Sequence, residues 1–282
     1  MPAPALLLAA IVSFQVGAAG ATHMFGRATV EGSVFLRTAL GAVVLLVIAR
    51  PVLRGRSRSD LWLLVLLGAL LAGMNSAFYQ AVDRLPLGVA VTVEFLGPLV
   101  VAVAASRRRL DLLWVGMAAV GVALFAGGPA GGSVTAAGLG FALLAAAAWA
   151  GYILVAKRVG HRWPGTQGLA VSLALAAVLL APFGAVHGIA ALSDPSLAAL
   201  ALGVSVFSTA LPYTLELSAL RRMSARVYGV LACFEPIVAA VVGRIVLSQS
   251  LTAWEALAAV MIVAASIGVT RESSERPEIA PN

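Results

Sequence analysis

The chain reads as ten apolar runs separated by short polar breaks, at 5–23, 30–49, 61–80, 86–106, 110–126, 136–156, 166–187, 196–217, 227–247 and 251–269. The runs are about 17–22 residues long, close to the ~20 residues an α-helix needs to cross bilayer hydrocarbon. No stretch of about ten residues alternates apolar and polar positions as a barrel strand does, and an open strand cannot satisfy its backbone in lipid. The pattern predicts an all-α integral membrane protein with ten transmembrane helices.

Two of the runs match each other. One is VDRLPLGVAVTVEFLGPLVVAV, Val82 to Val103; the other is LRRMSARVYGVLACFEPIVAAV, Leu220 to Val241. Each starts with a polar turn and carries one glutamate and one proline near the middle of its apolar part. They occupy corresponding places in two halves that divide at a glycine-rich connector, GGPAGGSVT. Five helices per half is an odd number, so the halves must face opposite ways across the membrane. Aligning Pro98 with Pro236 puts Arg84 on Arg222, an outer turn on an inner one. That predicts two inverted five-helix repeats, 1–126 and 136–269, joined by the outer linker 127–135 and followed by a polar tail, 270–282, expected to be disordered.

Composition agrees with a membrane solvent. The chain is 61% hydrophobic and 11% charged, with a mean hydropathy of +1.00, whereas soluble domains are about half apolar and a quarter charged. The net charge of +7 is a matter of helix ends rather than of nucleic acid. With the N-terminus inside, fifteen basic residues fall in cytoplasmic segments and three in outer ones, as the positive-inside rule requires. Both termini are then cytoplasmic. The first run lacks a basic leader and reads as a retained helix. The lone Cys233 excludes an intrachain disulfide. The connector lacks the Gly-Lys-Ser/Thr ending of a phosphate-binding loop, and no other ATP motif is present. No metal or other cofactor is expected, since the three histidines have no ligand spacing.

Charge inside the apolar runs is the candidate chemistry, because a carboxylate at a helix centre costs about 2.5–3.5 kcal/mol or more and usually serves a function. Glu94 lies about eight residues into its run, roughly 12 Å deep at 1.5 Å per residue. Arg37 lies at similar depth from the same face, and the two are placed to meet. Glu235 enters from the opposite face. Together they offer a cation and carboxylates to a zwitterion, and a buried carboxylate can also carry a proton. The alternative is that Arg37 and Glu94 neutralise each other as a structural pair. Glu216, one turn before Arg221, reads either as a site carboxylate or as an interfacial ion pair. Asn75 and Tyr79 share one helical face, and Tyr213 is placed to line the same cavity. Trp149 and Tyr152 line it too, or anchor a helix at the interface. Pro98, Pro212 and Pro236 each remove a backbone donor and are expected to kink their helices.

The segments STALPYTLELSALRRMSARVYG (Ser208 to Gly229), FEPIVAAVVG (Phe234 to Gly243), PLGVAVTVEFLGPLVVAVAASRRRLD (Pro86 to Asp111) and GMNSAFY (Gly73 to Tyr79) resemble the threonine/homoserine exporter group of the EamA-type drug/metabolite transporter superfamily. So do SFQVGAA around Gln15, LRTALG around Arg37 and AWAGYIL around Trp149 and Tyr152. The resemblance covers about residues 10–270 and adds Gln15 to the substrate-binding set. It implies ten helices, a central cavity, and efflux of a small amino acid or analogue across the bacterial inner membrane, coupled to protons. That family usually carries Glu-x-Leu-Thr before its last helix; here the segment is Gln249-Ser250-Leu251-Thr252. The rivals are a drug carrier of the same superfamily, a membrane-embedded enzyme and a channel. Intramembrane charge favours zwitterions over drugs, and no nucleophile or metal constellation supports an enzyme.

Overall fold

The structure, a computed structural model, describes residues 2–104, 110–127, 134–220, 222, 231–232 and 234–273. Most of the connector, Cys233, the turn around Met223 and the end of the tail lie outside the described residues. Every regular element among the described residues is a helix. These are α1 (Ala3–Thr22), α2 (Phe25–Ala49), α3 (Arg58–Val82), α4 (Leu87–Glu94), α5 (Leu96–Ala104), α6 (Leu110–Gly127), α7 (Ala136–Arg162), α8 (Gln167–Ala191), α9 (Pro195–Ser205), α10 (Leu211–Leu220), α11 (Glu235–Val246) and α12 (Ala253–Ser273). A π-helical segment, Val206–Ala210, joins α9 to α10. Among the described residues six stretches are long and apolar enough to cross a membrane: α1, α2, α3, α7, α8, and Pro195–Glu216, which runs through the π segment.

Local signals set several helix starts. Ser57 accepts from the Asp60 N–H at 3.1 Å, and Thr135 from Gly138 N–H at 3.0 Å. Thr252 and Glu255 form a reciprocal capping box on α12, in the spacing a Thr-x-x-Glu sequence advertises. Asp194 caps α9 by accepting from Ser196 N–H at 2.9 Å. The hydrogen bonds from Ser196 hold its carboxyl below the ordinary carboxylate range, and Arg27 at 2.6 Å adds to this. The Gln249 side chain reaches from the α11–α12 turn to accept from the Leu87 N–H at 2.9 Å, capping α4 from the other half of the chain.

The three prolines expected to kink helices stand close to helix starts, and at Pro98 and Pro212 the helix is interrupted just before them. Pro236 is in the first turn of α11, Pro212 is the second residue of α10, and Pro98 is the third of α5. At Pro98 and Pro212 helix also lies directly before, so the carbonyls of Glu94 and Ser208 lose their α-helical donor. The run expected as one helix at 86–106 is therefore two, broken at Phe95. The run at 196–217 is interrupted by the π segment just before Pro212.

Packing joins the two halves throughout. The main helix contacts are α2 on α8, α3 on α7 and α8, α6 on α12, α1 on α10 and α4 on α11. Each pairs a helix before the connector with one after it. Large apolar side chains such as Val47, Phe183, Val186 and Ile245 point outward, exposed, as lipid-facing residues do. At the centre, α1 and α2 close on the π segment through glycines. A Cβ on Gly17 would come within 2.6 Å of Ser208 Cβ, and one on Gly41 within 2.7 Å of Thr209 Cγ2.

Those two approaches leave no room for a side chain. Gly17→Val and Gly41→Val are each expected to lower stability by about 1–3 kcal/mol, as overpacking does, read as a lower thermal midpoint in detergent. Gly73, where an added Cβ would meet nothing within 4 Å, is the control, and Gly73→Ala should leave the midpoint in place.

Candidate functional site

Helix breaks bring the polar side chains together. One cavity lies between the halves, lined from the first half by α1, α3 and α4 and from the second by α7, α10 and α11. Its polar lining is Gln15, Glu94, Trp149, Tyr152, Tyr213, Glu216 and Glu235. Its volume is about 80 Å³ for the centre of a water-sized sphere; one water needs about 10–15 Å³ on that measure, so the cavity is on the scale of a small solute.

Glu94 ends α4 at the break. Its side chain is 7% exposed and has no hydrogen bond or ion pair among the described residues. Pro98 has no N–H to offer the Glu94 carbonyl four residues back. Glu235 is the first residue of α11, where the helix N-terminus favours negative charge. Trp149 packs edge-on against Phe95, the residue at the break, with ring centroids 5.7 Å apart. Among the described residues no three His, Cys, Asp or Glu side chains are arranged to hold a metal ion.

Arg37, Asn75 and Tyr79, expected on the cavity wall, lie behind it. Arg37 is 2% exposed and makes no ion pair with Glu94. Its Nε donates to Ser208 Oγ at 2.7 Å, its Nη2 to the Ser208 carbonyl at 2.7 Å, and its Nη1 to Asn75 Oδ1. The rings of Phe14 and Tyr79 flank the guanidinium, at 5.2 and 5.5 Å. Phe14 lines the cavity and so separates Arg37 from it. Equal depth from one face, the argument for an Arg37–Glu94 contact, fixes height and not azimuth.

Sequence reasoning missed Ser208. The signal was present: Ser208 is four residues before Pro212, so its carbonyl is the one that proline leaves without an α-helical donor. It also missed Phe14, Met74, Val91, Leu7, Ala10 and Ile11, the apolar part of the lining, which carry no mark that separates them from other buried apolar residues.

Residues 136–271 match the EamA-like transporter family. The chain is 40% identical over 275 residues to the threonine/homoserine exporter RhtA of Salmonella typhimurium (strain SL1344), covering 97% of this chain and 93% of that protein. It is 39% identical over 281 residues to the protein of the same name from Escherichia coli (strain K12), covering 98% and 95%. One crystal structure superposes with a TM-score of 0.63 over 93% of this chain and 95% of that one, at 19% identity, a likeness of fold.

The Arg37 cluster clamps α2 and α3 to the π segment. Arg37→Leu leaves Asn75 Oδ1 and the Ser208 groups buried without their donor, at about 1–3 kcal/mol for each. Arg37→Lys keeps the charge but not the fork of donors. Thermal unfolding in detergent is expected to rank wild type above Arg37→Lys above Arg37→Leu. Equal midpoints would mean that the cluster does not hold the helices.

Proposed function

The chain belongs to the EamA-like transporter family, and on that footing we propose that it exports small zwitterionic amino acids, such as threonine and homoserine, in exchange for protons. The observation that carries this reading is the cavity between the halves with three carboxylates on its wall. A multi-pass bacterial inner-membrane protein has few reasons to gather Glu94, Glu216 and Glu235 on one internal cavity wall. An ammonium group satisfies such a wall; without substrate, protons do. The two states then exclude one another, which is what exchange requires. Arg37 stands behind Phe14 and acts on a substrate carboxylate through its field rather than by contact, favouring the orientation that turns the carboxylate toward α1 and α2. Tyr152, Tyr213 and Trp149 form the remaining polar wall.

In this reading the helices are ten spans. α4 and α5 form one span broken at Phe95, and α9 with α10 another, broken at the π segment. That leaves five spans on each side of the connector, as an inverted repeat needs. Both termini face the cytoplasm, where the basic segments lie. The breaks supply unpaired backbone only where it faces a cavity or another side chain, the one setting in which a membrane interior tolerates it.

The test is export from cells that lack their own amino-acid exporters. Expression is expected to raise tolerance to excess threonine or homoserine and to lower the intracellular amino acid, and an uncoupler should stop the efflux. Glu94→Gln should cut the efflux rate by at least about tenfold, the scale of a lost charged hydrogen bond, with the protein still present in the membrane fraction. Unchanged tolerance on expression would sink the amino-acid reading, and a wild-type rate in Glu94→Gln would remove Glu94 from the site.

A further inference from the structure

Gln15 is a fully buried polar side chain of the cavity whose hydrogen-bonding atoms are both without a partner. It is 0% exposed, it lines the cavity, and neither Nε2 nor Oε1 meets a donor or acceptor among the described residues. A buried carboxamide is almost always hydrogen-bonded, and one with neither atom satisfied needs a partner from outside the protein. Helix α1 holds it in place: Gly17, two residues on, packs directly against Ser208, so the helix has little freedom to turn the amide elsewhere. Its neighbour Phe14 stands against Phe78 and Arg37.

The chemistry of the missing partner follows from the other groups. Glu94, Glu216 and Glu235 are acceptors and take the ammonium end of a substrate. A substrate carboxylate can accept from Nε2 but sets its lone pairs against Oε1. A hydroxyl suits both atoms, because it can close a ring with a carboxamide, accepting from the Nε2 N–H while donating to Oε1. A methyl or methylene group cannot.

We infer that Gln15 is the specificity-determining residue for a hydroxyl group on the substrate's side chain, and that it discriminates against amino acids of the same size that lack one. This rests on the amino-acid export reading and names the part of the substrate that the site selects. A site that hydrogen-bonds a substrate hydroxyl rejects the analogue without it far more strongly than an apolar pocket rejects a changed methylene.

The experiment is equilibrium binding to the purified full-length protein in detergent, with L-homoserine, L-2-aminobutyrate, which lacks only the hydroxyl, and O-methyl-L-homoserine, which keeps the oxygen but cannot donate. Wild type is expected to favour homoserine over 2-aminobutyrate by about 10- to 100-fold, the scale of an unpaired buried polar group, with the methyl ether nearer to 2-aminobutyrate. In Gln15→Met, of similar length and without polar atoms, the preference should fall to within about threefold. Gln15→Asn, which withdraws the amide by one methylene, should lower it in the same direction and serves if the methionine variant does not insert. A wild type that binds homoserine and 2-aminobutyrate equally overturns the inference and leaves the export reading standing. So does a variant that keeps the wild-type ratio. A wild type that binds neither homoserine nor L-threonine, measured alongside it, overturns both.

Discussion

A guanidinium in an apolar interior must be met by acceptors, and Arg37 finds them at a place where the backbone has one to offer. Pro212 cannot donate to the Ser208 carbonyl, the helix relaxes into a π turn, and that carbonyl accepts from Arg37 Nη2 while the Ser208 hydroxyl accepts from Nε. Asn75 completes the set from α3. Three elements distant in sequence are tied at one point. The glycines of α1 and α2 let both helices reach it, since any side chain at Gly17 or Gly41 would strike Ser208 or Thr209. An arginine that would be costly alone becomes the joint around which the first and second halves pack.

The cavity follows from the same constraint applied elsewhere. Glu94 ends α4 four residues before Pro98, and Glu235 starts α11 one residue before Pro236. Because the halves interleave, with α4 against α11 and α1 against α10, these ends face a common space. The two ends differ: the N-terminus of α11 favours negative charge at Glu235, whereas Glu94 ends α4, where a helix C-terminus disfavours it.

Much of this was legible in the sequence. The apolar runs located the long helices, with ends off by up to six residues as at the close of α7, because a membrane span is a composition signal that needs no tertiary context. The intramembrane charges pointed to Glu94 and Glu235, which the structure brings to one cavity with Glu216, Tyr152, Tyr213, Trp149 and Gln15. Two things were not legible. Depth along a helix can be counted, but the direction in which a side chain leaves it cannot be counted across two helices, and so Arg37, expected beside Glu94, sits behind Phe14. A proline in an apolar run announces a disturbed helix without saying whether the helix bends or stops. At Pro98 the helix stops at Phe95 and at Pro212 it loosens into the π segment, and the carbonyls of Glu94 and Ser208 go without an α-helical donor.

The bond from Leu87 N–H to Gln249 Oε1 fastens the start of α4, the helix that ends in Glu94, to the second half. The resemblance leads to an acid at this position. A carboxylate there would tighten or slacken its hold as protons came and went, and the helix carrying Glu94 would feel the acidity of whichever compartment reached the turn. An amide oxygen has no such dependence. In this chain the bond that fastens the start of α4 to the second half therefore does not follow the protonation of a side chain at this turn.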